Sequence, residues 1–346
     1  MGKDTMLKFV GQPINNSTRL NFDLYLGQIN KIVKVVNMDK IIIIISFLHF
    51  FLVTEGQKAT IQLSSITNKD GSIDILYDGD FRGSYFVKLQ FSYLQNAVYS
   101  DFGHVVRSYR GKLTTLKPLN QINGISFRYS YQCWRGRPLK EYDKNQIYVL
   151  PYRAGKSVMV QHVNHINQIL DLPVPANWVS YAFITKNPDT IFSCRKGIVV
   201  DVINEFQTDT TKTYKYQSQK NYIVVEHEDG TLARYTGLEL DKIQVKPGEK
   251  VFPGTPIGII GRYDKTPNHF VLHIAFYYLD TSKKTIEAGS NNTFGIFYNY
   301  ITPMFLTNTG RQTLGGNDMY QVLTSDEVVK SEMSKKEIKA YEKLKE

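Results

Sequence analysis

The feature that most constrains the fold is a stretch of short apolar segments, separated by paired turn residues, between positions 221 and 276. Its segments read NYIVVEHEDG (221–230), VKPGEKVFPGTPIGIIG (245–261) and FVLHIAF (270–276). Glycine supplies the positive φ that tight turns need, so the Asp-Gly and Pro-Gly pairs mark hairpins and bends. Short runs rich in Val, Ile and Phe between such turns are typical of strands. The pattern predicts a compact antiparallel sheet with a hairpin at Asp229-Gly230.

The order and glycine spacing of these segments resemble the core of the lysostaphin-type (LytM) metallopeptidases, which cut peptidoglycan cross-bridges. The most specific part is the run Val-Lys-x-Gly-x-x-Val-x-x-Gly-x-x-Ile-Gly that begins at Val245. The resemblance covers roughly residues 148–280 and implies a LytM-like peptidase-core domain over residues 148–310. Members of the family hold zinc with two imidazoles and one carboxylate. They leave a fourth position open for the water that attacks the peptide.

Most of the site residues that the resemblance implies are replaced in this chain. Ile184 stands where the family has the zinc-binding Asp, and residues 177–180 lack the upstream His. Gly237 and Val271 stand at the positions of two further histidines, so no catalytic residue is expected. His273, the second member of the His-x-His strand, is kept as a vestigial ligand. The resemblance therefore implies a degenerate domain without a cofactor, which binds peptidoglycan, scaffolds or regulates in the cell envelope.

The alternative is an active zinc metalloendopeptidase with a shifted ligand set, cleaving peptidoglycan cross-bridges. His162 and His165 form a His-x-x-His pair upstream of the core, and a loop insertion could bring one of them to the site. His269 lies four residues before His273, on the same face of the predicted strand. Each of the three is a candidate replacement ligand. His227, beside the predicted hairpin turn, is expected to be structural.

The region over residues 58–146 is predicted to be a β-sandwich-like domain. Apolar and polar residues alternate from position 85 to 93 and again from 125 to 132, which is typical of half-buried strands. The apolar side of the first of these strands carries Val87, Leu89, Phe91 and Tyr93. Strands that recur every 8–15 residues suggest a small sandwich, so the predicted class for the chain is all-β.

An apolar run at residues 41–53 is the only long one in the sequence. As a helix it would span about 20 Å, less than the ~30 Å hydrocarbon core of a bilayer, which favours a secretory signal over a stable membrane span. Because 40 residues precede the run, we expect translation to start at Met38 and cleavage to fall near Gly56-Gln57. Residues 1–56 are then an upstream extension plus a signal peptide, and the protein is exported to the periplasm, cell surface or medium. A buried strand or core helix is the alternative.

The net charge of +10 suits an anionic envelope polymer, nucleic acid or lipid head groups. No Lys/Arg cluster accompanies a nucleic-acid-binding signature, so nucleic acid is not an expected partner. The expected partner is peptidoglycan or an envelope protein.

The last two sequence features are the charged C-terminal segment and the two cysteines. Residues 326–346 are rich in Lys and Glu and are predicted to form a charged, mostly solvated terminal helix, or alternatively a helix that binds a partner. Cys133 and Cys194 lie in apolar strand patterns of different predicted domains. We expect both to be buried free thiols, with a disulfide as the alternative in an exported chain.

Overall fold

The computed structural model describes residues 61–101, 103–169, 174, 177–213, 217, 219–281 and 297–343. The chain divides into two compact units, Met1–Arg135 and Gly136–Glu346. The apolar run at 41–53 and the predicted cleavage site lie outside the described residues. Within the described ranges, no helix is long and apolar enough to cross a membrane.

The regular secondary structure of the described chain is almost entirely strand, as predicted. Its strands are β1 (Gln62–Thr67), β2 (Ile73–Asp78), β3 (Tyr85–Gln95), β4 (His104–Val106), β5 (Arg110–Leu116), β6 (Ser126–Arg135), β7 (Ile147–Val149), β8 (Ser157–His162), β9 (Tyr181–Thr185), β10 (Thr190–Phe192), β11 (Gly197–Ile203), β12 (Asn221–Glu226), β13 (Leu232–Ile243), β14 (Lys250–Val251), β15 (Pro256–Ile260), β16 (Phe270–Asp280), β17 (Phe297–Tyr300), β18 (Met304–Thr307), β19 (Gly310–Gln312) and β20 (Asp318–Gln321). Its helices are α1 (Ile166–Ile169), α2 (Asp326–Lys330) and α3 (Lys335–Lys343).

The first unit is built like a small β-sandwich. One sheet has the order β1-β2-β5 and the other β4-β3-β6. Apolar side chains from both sheets meet in one core, among them Ile75 from β2 and Val87 from β3, both fully buried. The alternation predicted for β6 is confirmed, because Phe127, Tyr129 and Tyr131 all face this core. The sandwich-like character expected from the sequence is therefore present.

One residue of the predicted core face is placed wrongly by the alternation. Tyr93 is 51% exposed, whereas Leu94 packs against the core. The cause is a register shift between β3 and β6, where Phe91 pairs with Tyr129 and Tyr93 pairs with Arg128. Ser92 is the additional residue of this bulge, and a bulge reverses which face each later side chain occupies.

The second unit is dominated by one sheet in which every strand pair is antiparallel. Its main order is β14-β11-β12-β13-β16-β9-β8-β20, with β10 and β15 paired together and β17 added to β16. The predicted hairpin at Asp229-Gly230 joins β12 to β13, and Gly230 has φ +92°. The segment around Tyr148 differs from expectation: β7 belongs to a separate three-stranded sheet, where it runs parallel to β18.

Alternate residues of the large sheet bury one face in a continuous apolar core. On β16 the inward residues are Leu272, Ile274 and Phe276, each at most 1% exposed. Tyr181 and Phe183 of β9 join the same core, and both are fully buried. The opposite face of these strands carries the candidate site described below.

Both cysteines are free thiols; Cys194 is fully buried and Cys133 is partly buried.

The charged C-terminal segment is helical and mostly exposed, as predicted. It forms the two helices α2 and α3, and Val328 and Val329 of α2 are buried. Glu332, between the helices, forms a bidentate ion pair with the buried guanidinium of Arg195 at 2.9 and 2.7 Å. Glu337 of α3 accepts from Lys196 at 3.0 Å and from Lys250 at 2.7 Å. Charge in this segment therefore fixes it against the large sheet.

His227 is structural, as expected, and it makes stability depend on pH. Its ring is 2% exposed, and its Nδ1–H donates to the carbonyl of Lys196 at 2.7 Å. Burial, and then the nearby charge of Arg195, lower the pKa of His227 from 6.5 to about 3. The unfolded chain therefore binds an additional proton below pH 6.5. The stability contributed by the neutral ring is complete above about pH 6.5 and is lost as the pH falls towards 3.

Between pH 7 and pH 5 this histidine should lower the free energy of unfolding by about 2 kcal/mol. Urea denaturation at pH 7, 6 and 5 measures the effect. The matched variant is His227→Asn, whose amide nitrogen takes the place of Nδ1 and does not titrate. Its stability should fall less steeply with acidification, since every other histidine is common to both proteins. Equal slopes for the two proteins would contradict the assignment.

Candidate functional site

Three of the residues singled out from the sequence lie together on the face of the large sheet opposite its core. Ile184 of β9 is the direct cross-strand partner of Val271 of β16. His273 lies two residues further along β16 and is opposite Thr236 of β13. Directly paired residues of antiparallel strands point to the same side, as do residues i and i+2 of one strand. The arrangement is the one expected from the sequence.

The close polar neighbour of His273 is a lysine. Lys220, the residue before β12, places its Nζ 3.5 Å from Nδ1 of His273. The same ammonium lies 4.0 Å from the centre of the Tyr263 ring, within the range of a cation–π contact. Because an ammonium can only donate, Nδ1 of His273 is the acceptor and its proton is on Nε2. The nitrogen that could bind a metal therefore faces a cation.

Burial changes the charge state of both groups. It lowers the pKa of Lys220 to about 8, which leaves most of these side chains protonated at pH 7. Burial, followed by the positive charges of Lys220 and His269, lowers the pKa of His273 to about 3. His273 is accordingly neutral and Lys220 carries the charge.

The residues around His273 do not fit a zinc ion. Ile184 and Val271 present only hydrocarbon, which has no lone pair to donate. Among the residues that the structure describes, no three His, Cys, Asp or Glu side chains come together in a way that could hold a metal. The ammonium of Lys220 adds positive charge at the nitrogen that remains, and this opposes a second cation.

The backbone at Gly237 does not accommodate the histidine that the lysostaphin-type resemblance implies at this position. Gly237 has φ +104°, a conformation that residues with a side chain rarely adopt. A Cβ there would lie 2.5 Å from the carbonyl oxygen of Val271, on the neighbouring strand. Gly237 therefore lets β13 approach the Val271 carbonyl closely, and both residues line a shallow cleft.

The cleft is shallow: its cavity volume is about 10 Å³, the space of roughly one water molecule. Its lining residues are Thr208, Gln217, Lys220, Asn221, Gly237, Leu238, Arg262, Tyr263 and Val271. Asn221 builds one wall: its side-chain oxygen accepts from the backbone of Glu205 and Phe206, and its amide donates to the carbonyl of Leu238. These bonds attach the segment after β11 to β13 and hold Lys220 beside the cleft.

The three alternative ligands are dispersed, and one of them lies near His273. His162 donates from Nε2 to the carbonyl of Leu314 at 3.0 Å, and the ring of His165 packs edge-on against Trp178. His269 lies beside the cleft, with its Nδ1 3.3 Å from the carboxylate of Asp264. Its ring, like that of His273, packs against Tyr263.

Lys220 and Tyr263 were missed by sequence reasoning. Neither stands at a position where the family has a site residue, and 53 residues separate Lys220 from the His273 that it contacts. The available signal was weak: a lysine directly before a buried strand, and an aromatic residue two positions after the glycine-spaced run. Only the pairing of β12 and β16 with β13 brings the two segments together.

No protein-family model matches the sequence, and no curated protein is similar to it. Among solved structures, similarity is found to the deep-sea M23 metalloprotease pseudoalterin, with 13% identity over 52% of this chain and 99% of that chain, TM-score 0.28. A zinc-containing peptidase from Vibrio cholerae has 18% identity over 63% of this chain and 78% of its own, TM-score 0.24. Csd3 of Helicobacter pylori has 13% identity over 83% and 77%, TM-score 0.25. At scores this low, the interpretation of the second unit depends on its own residues and strand register.

Proposed function

We propose that the second unit is a non-catalytic relative of the lysostaphin-type peptidases and that it binds peptidoglycan in the cell envelope. The observation that carries the proposal is the contact between Lys220 and His273. At the position where a peptidase of this type needs a metal, this chain has an ammonium held against the one remaining imidazole. A shallow cleft lies beside it, and the groups needed to activate water are replaced.

The residue replacements around His273 all remove groups that zinc catalysis needs. Zinc catalysis needs a metal that both activates water and polarises the carbonyl under attack. Ile184 and Val271 remove ligand atoms, and Gly237 removes a further imidazole that would contact the substrate. Loss of only the groups that hydrogen-bond to the metal ligands weakens metal binding about 10–100-fold. Loss of the ligands themselves has a larger effect. Binding without hydrolysis is the chemistry that these residues support.

Export to the envelope is part of the same proposal. A peptidoglycan ligand lies outside the cytoplasm, and the apolar run at 41–53 has the length of a signal-peptide core. We propose that the mature chain begins near Gln57 and acts in the periplasm, at the cell surface or in the medium. N-terminal sequencing of protein recovered outside the cytoplasm tests this. Recovery of an intact Met1 in cytoplasmic protein would contradict it.

Metal content and hydrolysis test the loss of catalysis. Protein purified with zinc present should contain far less than one zinc per chain by elemental analysis, and it should release no peptides from peptidoglycan. The double variant Ile184→Asp, Val271→His should bind more zinc, because it restores two donor side chains on the face of His273. Stoichiometric zinc in the unaltered protein, with hydrolysis abolished by His273→Ala, would establish the peptidase alternative instead. His269 would then be the first replacement ligand to examine.

Co-sedimentation with insoluble peptidoglycan tests the binding function. The unaltered protein should pellet with purified sacculi and should stay in the supernatant without them. The variant Gly237→Ala is unsuitable here because it disturbs the fold. A better control is chitin, an uncharged glycan without peptides, to which the protein should not bind. Equal recovery with chitin and sacculi would contradict recognition of the peptide part.

A further inference from the structure

We propose that two neighbouring loops of the first unit form an apolar tip that inserts shallowly into an anionic lipid surface. The first loop follows β3 and includes residues 96–101, and the second, residues 117–125, joins β5 to β6. They present three large apolar side chains to solvent: Val98 is 70% exposed, Leu119 71% and Ile122 91%. The inference concerns the first unit and does not depend on the binding of peptidoglycan by the second.

Asn96 holds the two loops together. It has φ +61°, a conformation that Asn adopts more readily than most residues, and it ends β3 there. Its side-chain nitrogen donates to the carbonyls of Asn120 and Asn123 at 2.8 and 2.6 Å, and its side-chain oxygen accepts from the N–H of Asn120 at 2.8 Å. Its own carbonyl accepts from the N–H of Leu119 at 2.9 Å. These bonds give the tip a defined shape.

The backbone beside the exposed side chains is already hydrogen-bonded within the tip. Besides the bonds to Asn96, the side-chain oxygen of Asn120 accepts from the N–H of Ile122 at 2.9 Å. The N–H groups of Leu119 and Ile122, the two most exposed apolar residues, therefore do not need water as their acceptor. Hydrocarbon offers no hydrogen-bond partners, so a segment that enters it must pair its backbone groups internally. The second loop meets this condition at its apolar positions.

The shape of the tip favours lipid over a folded protein partner. Single exposed apolar residues are common and indicate nothing by themselves, but here three of them share one pair of bonded loops. Ala97 and Tyr99 pack against the core of the unit, so Val98 between them faces outward. A side chain as exposed as Ile122 projects from its surroundings and forms neither a groove nor a flat patch. Fluid acyl chains can surround such a projection without a preformed pocket.

The charges near the tip favour anionic head groups. Lys117, at the start of the second loop, and Arg128, near the start of β6, are both exposed. The second loop contains no Asp or Glu. The acid of the first loop, Asp101, has a cationic partner available in His104, whose Nε2 lies 3.6 Å from the carboxylate. Basic side chains close to an anionic leaflet are attracted to it, so Lys117 and Arg128 add to the binding of the apolar residues.

Co-sedimentation of the full chain with lipid vesicles tests the proposal. Vesicles of equal parts phosphatidylglycerol and phosphatidylcholine should carry the protein into the pellet, and vesicles of phosphatidylcholine alone should bind it more weakly. Ile122→Ser should weaken binding to the mixed vesicles at least about 10-fold, because the burial of an isoleucine side chain in hydrocarbon is lost. Ile66→Ser is the matched control: Ile66 is on β1, outside both loops, and is 54% exposed, so its substitution should leave binding unchanged.

Four outcomes of the vesicle experiment would overturn the proposal: no sedimentation with either vesicle, equal affinity for the two compositions, unchanged affinity of Ile122→Ser, or an equal loss in Ile66→Ser. Sedimentation velocity tests a second copy of the chain as the occupant. A dimer that Ile122→Ser dissociates would assign the tip to contact between copies and would also overturn the proposal. Both substitutions replace exposed side chains, so both variants should fold, and equal circular dichroism spectra check this. Sedimentation with sacculi is a separate measurement, so failure of vesicle binding leaves the proposed function of the second unit unaffected.

Discussion

Replacing Arg195 by methionine should lower the free energy of unfolding by about 3–5 kcal/mol, the usual effect of removing one partner from a buried ion pair. The side chain of Arg195 is 4% exposed. Its guanidinium donates to both carboxylate oxygens of Glu332, to Asp229 at 2.8 Å, and to the hydroxyls of Tyr148 and Thr231 at 3.2 Å. Methionine fills much of the volume but leaves these acceptors without their donor. Urea denaturation at pH 7 measures the change.

The matched control is Arg311→Met. Arg311 also pairs with an acidic residue of the C-terminal segment, Glu327, at 3.2 Å, but the two side chains are 53% and 80% exposed. An exposed pair of this kind contributes at most about 1 kcal/mol. A loss of similar size in both variants would show that the burial of Arg195 does not decide its contribution. The Arg195 variant should also expose the C-terminal helices to protease, because Glu332 is part of their attachment.

Gly237→Ala is expected to lower the free energy of unfolding by about 2–4 kcal/mol. Two causes contribute: the positive φ of Gly237, and the approach of the new Cβ to within 2.5 Å of the Val271 carbonyl oxygen. The obstructing atom belongs to the backbone of a central strand, so it cannot move aside without disturbing the sheet. Gly237→His, the residue type that the lysostaphin-type resemblance implies here, should be at least as destabilising. Thermal and urea denaturation both report the effect.

Gly254→Ala separates the two causes. Gly254 has φ +86°, yet nothing lies within 4 Å of the Cβ that the substitution would add. Its variant carries the conformational strain alone, about 1 kcal/mol. The difference between the two variants measures the contact with the Val271 carbonyl. If Gly237→Ala were as stable as Gly254→Ala, the contact with the Val271 carbonyl would not be destabilising and the interpretation of this position would be wrong.

Much of the second unit could be predicted from local pattern. The hairpin at Asp229-Gly230 and the alternation along β16 follow from turn chemistry and a period of two, which act over a few residues. The pairing of Ile184 with Val271 followed from the resemblance, and the strand register agrees with it. These features depend on residues near one another in the sequence or on the order of strands.

The features that were missed depend on contacts between distant residues or on the geometry of single positions. The amino-acid composition of β3 does not indicate the bulge at Ser92. The bulge places Tyr93 outside the core. The charge of the C-terminal segment correctly predicted a mostly exposed helix, but it did not predict that its acids pair with Arg195, Lys196 and Lys250 of the large sheet. Lys220 reaches His273 only through the folded sheet. Charge alone does not tell a solvated side chain from one that is paired.

The backbone at Gly237 also makes two distant parts of the chain depend on one another. The carbonyl oxygen of Val271 lies only 2.5 Å from the place where a Cβ would be, so β13 and β16 approach here more closely than a residue with a side chain allows. Substitutions at Ile184 or Val271 change side chains alone, whereas any substitution at position 237 requires the backbone to leave φ +104° and to separate from the neighbouring strand. Position 237 is therefore expected to tolerate no other residue, while the two apolar positions beside His273 can vary.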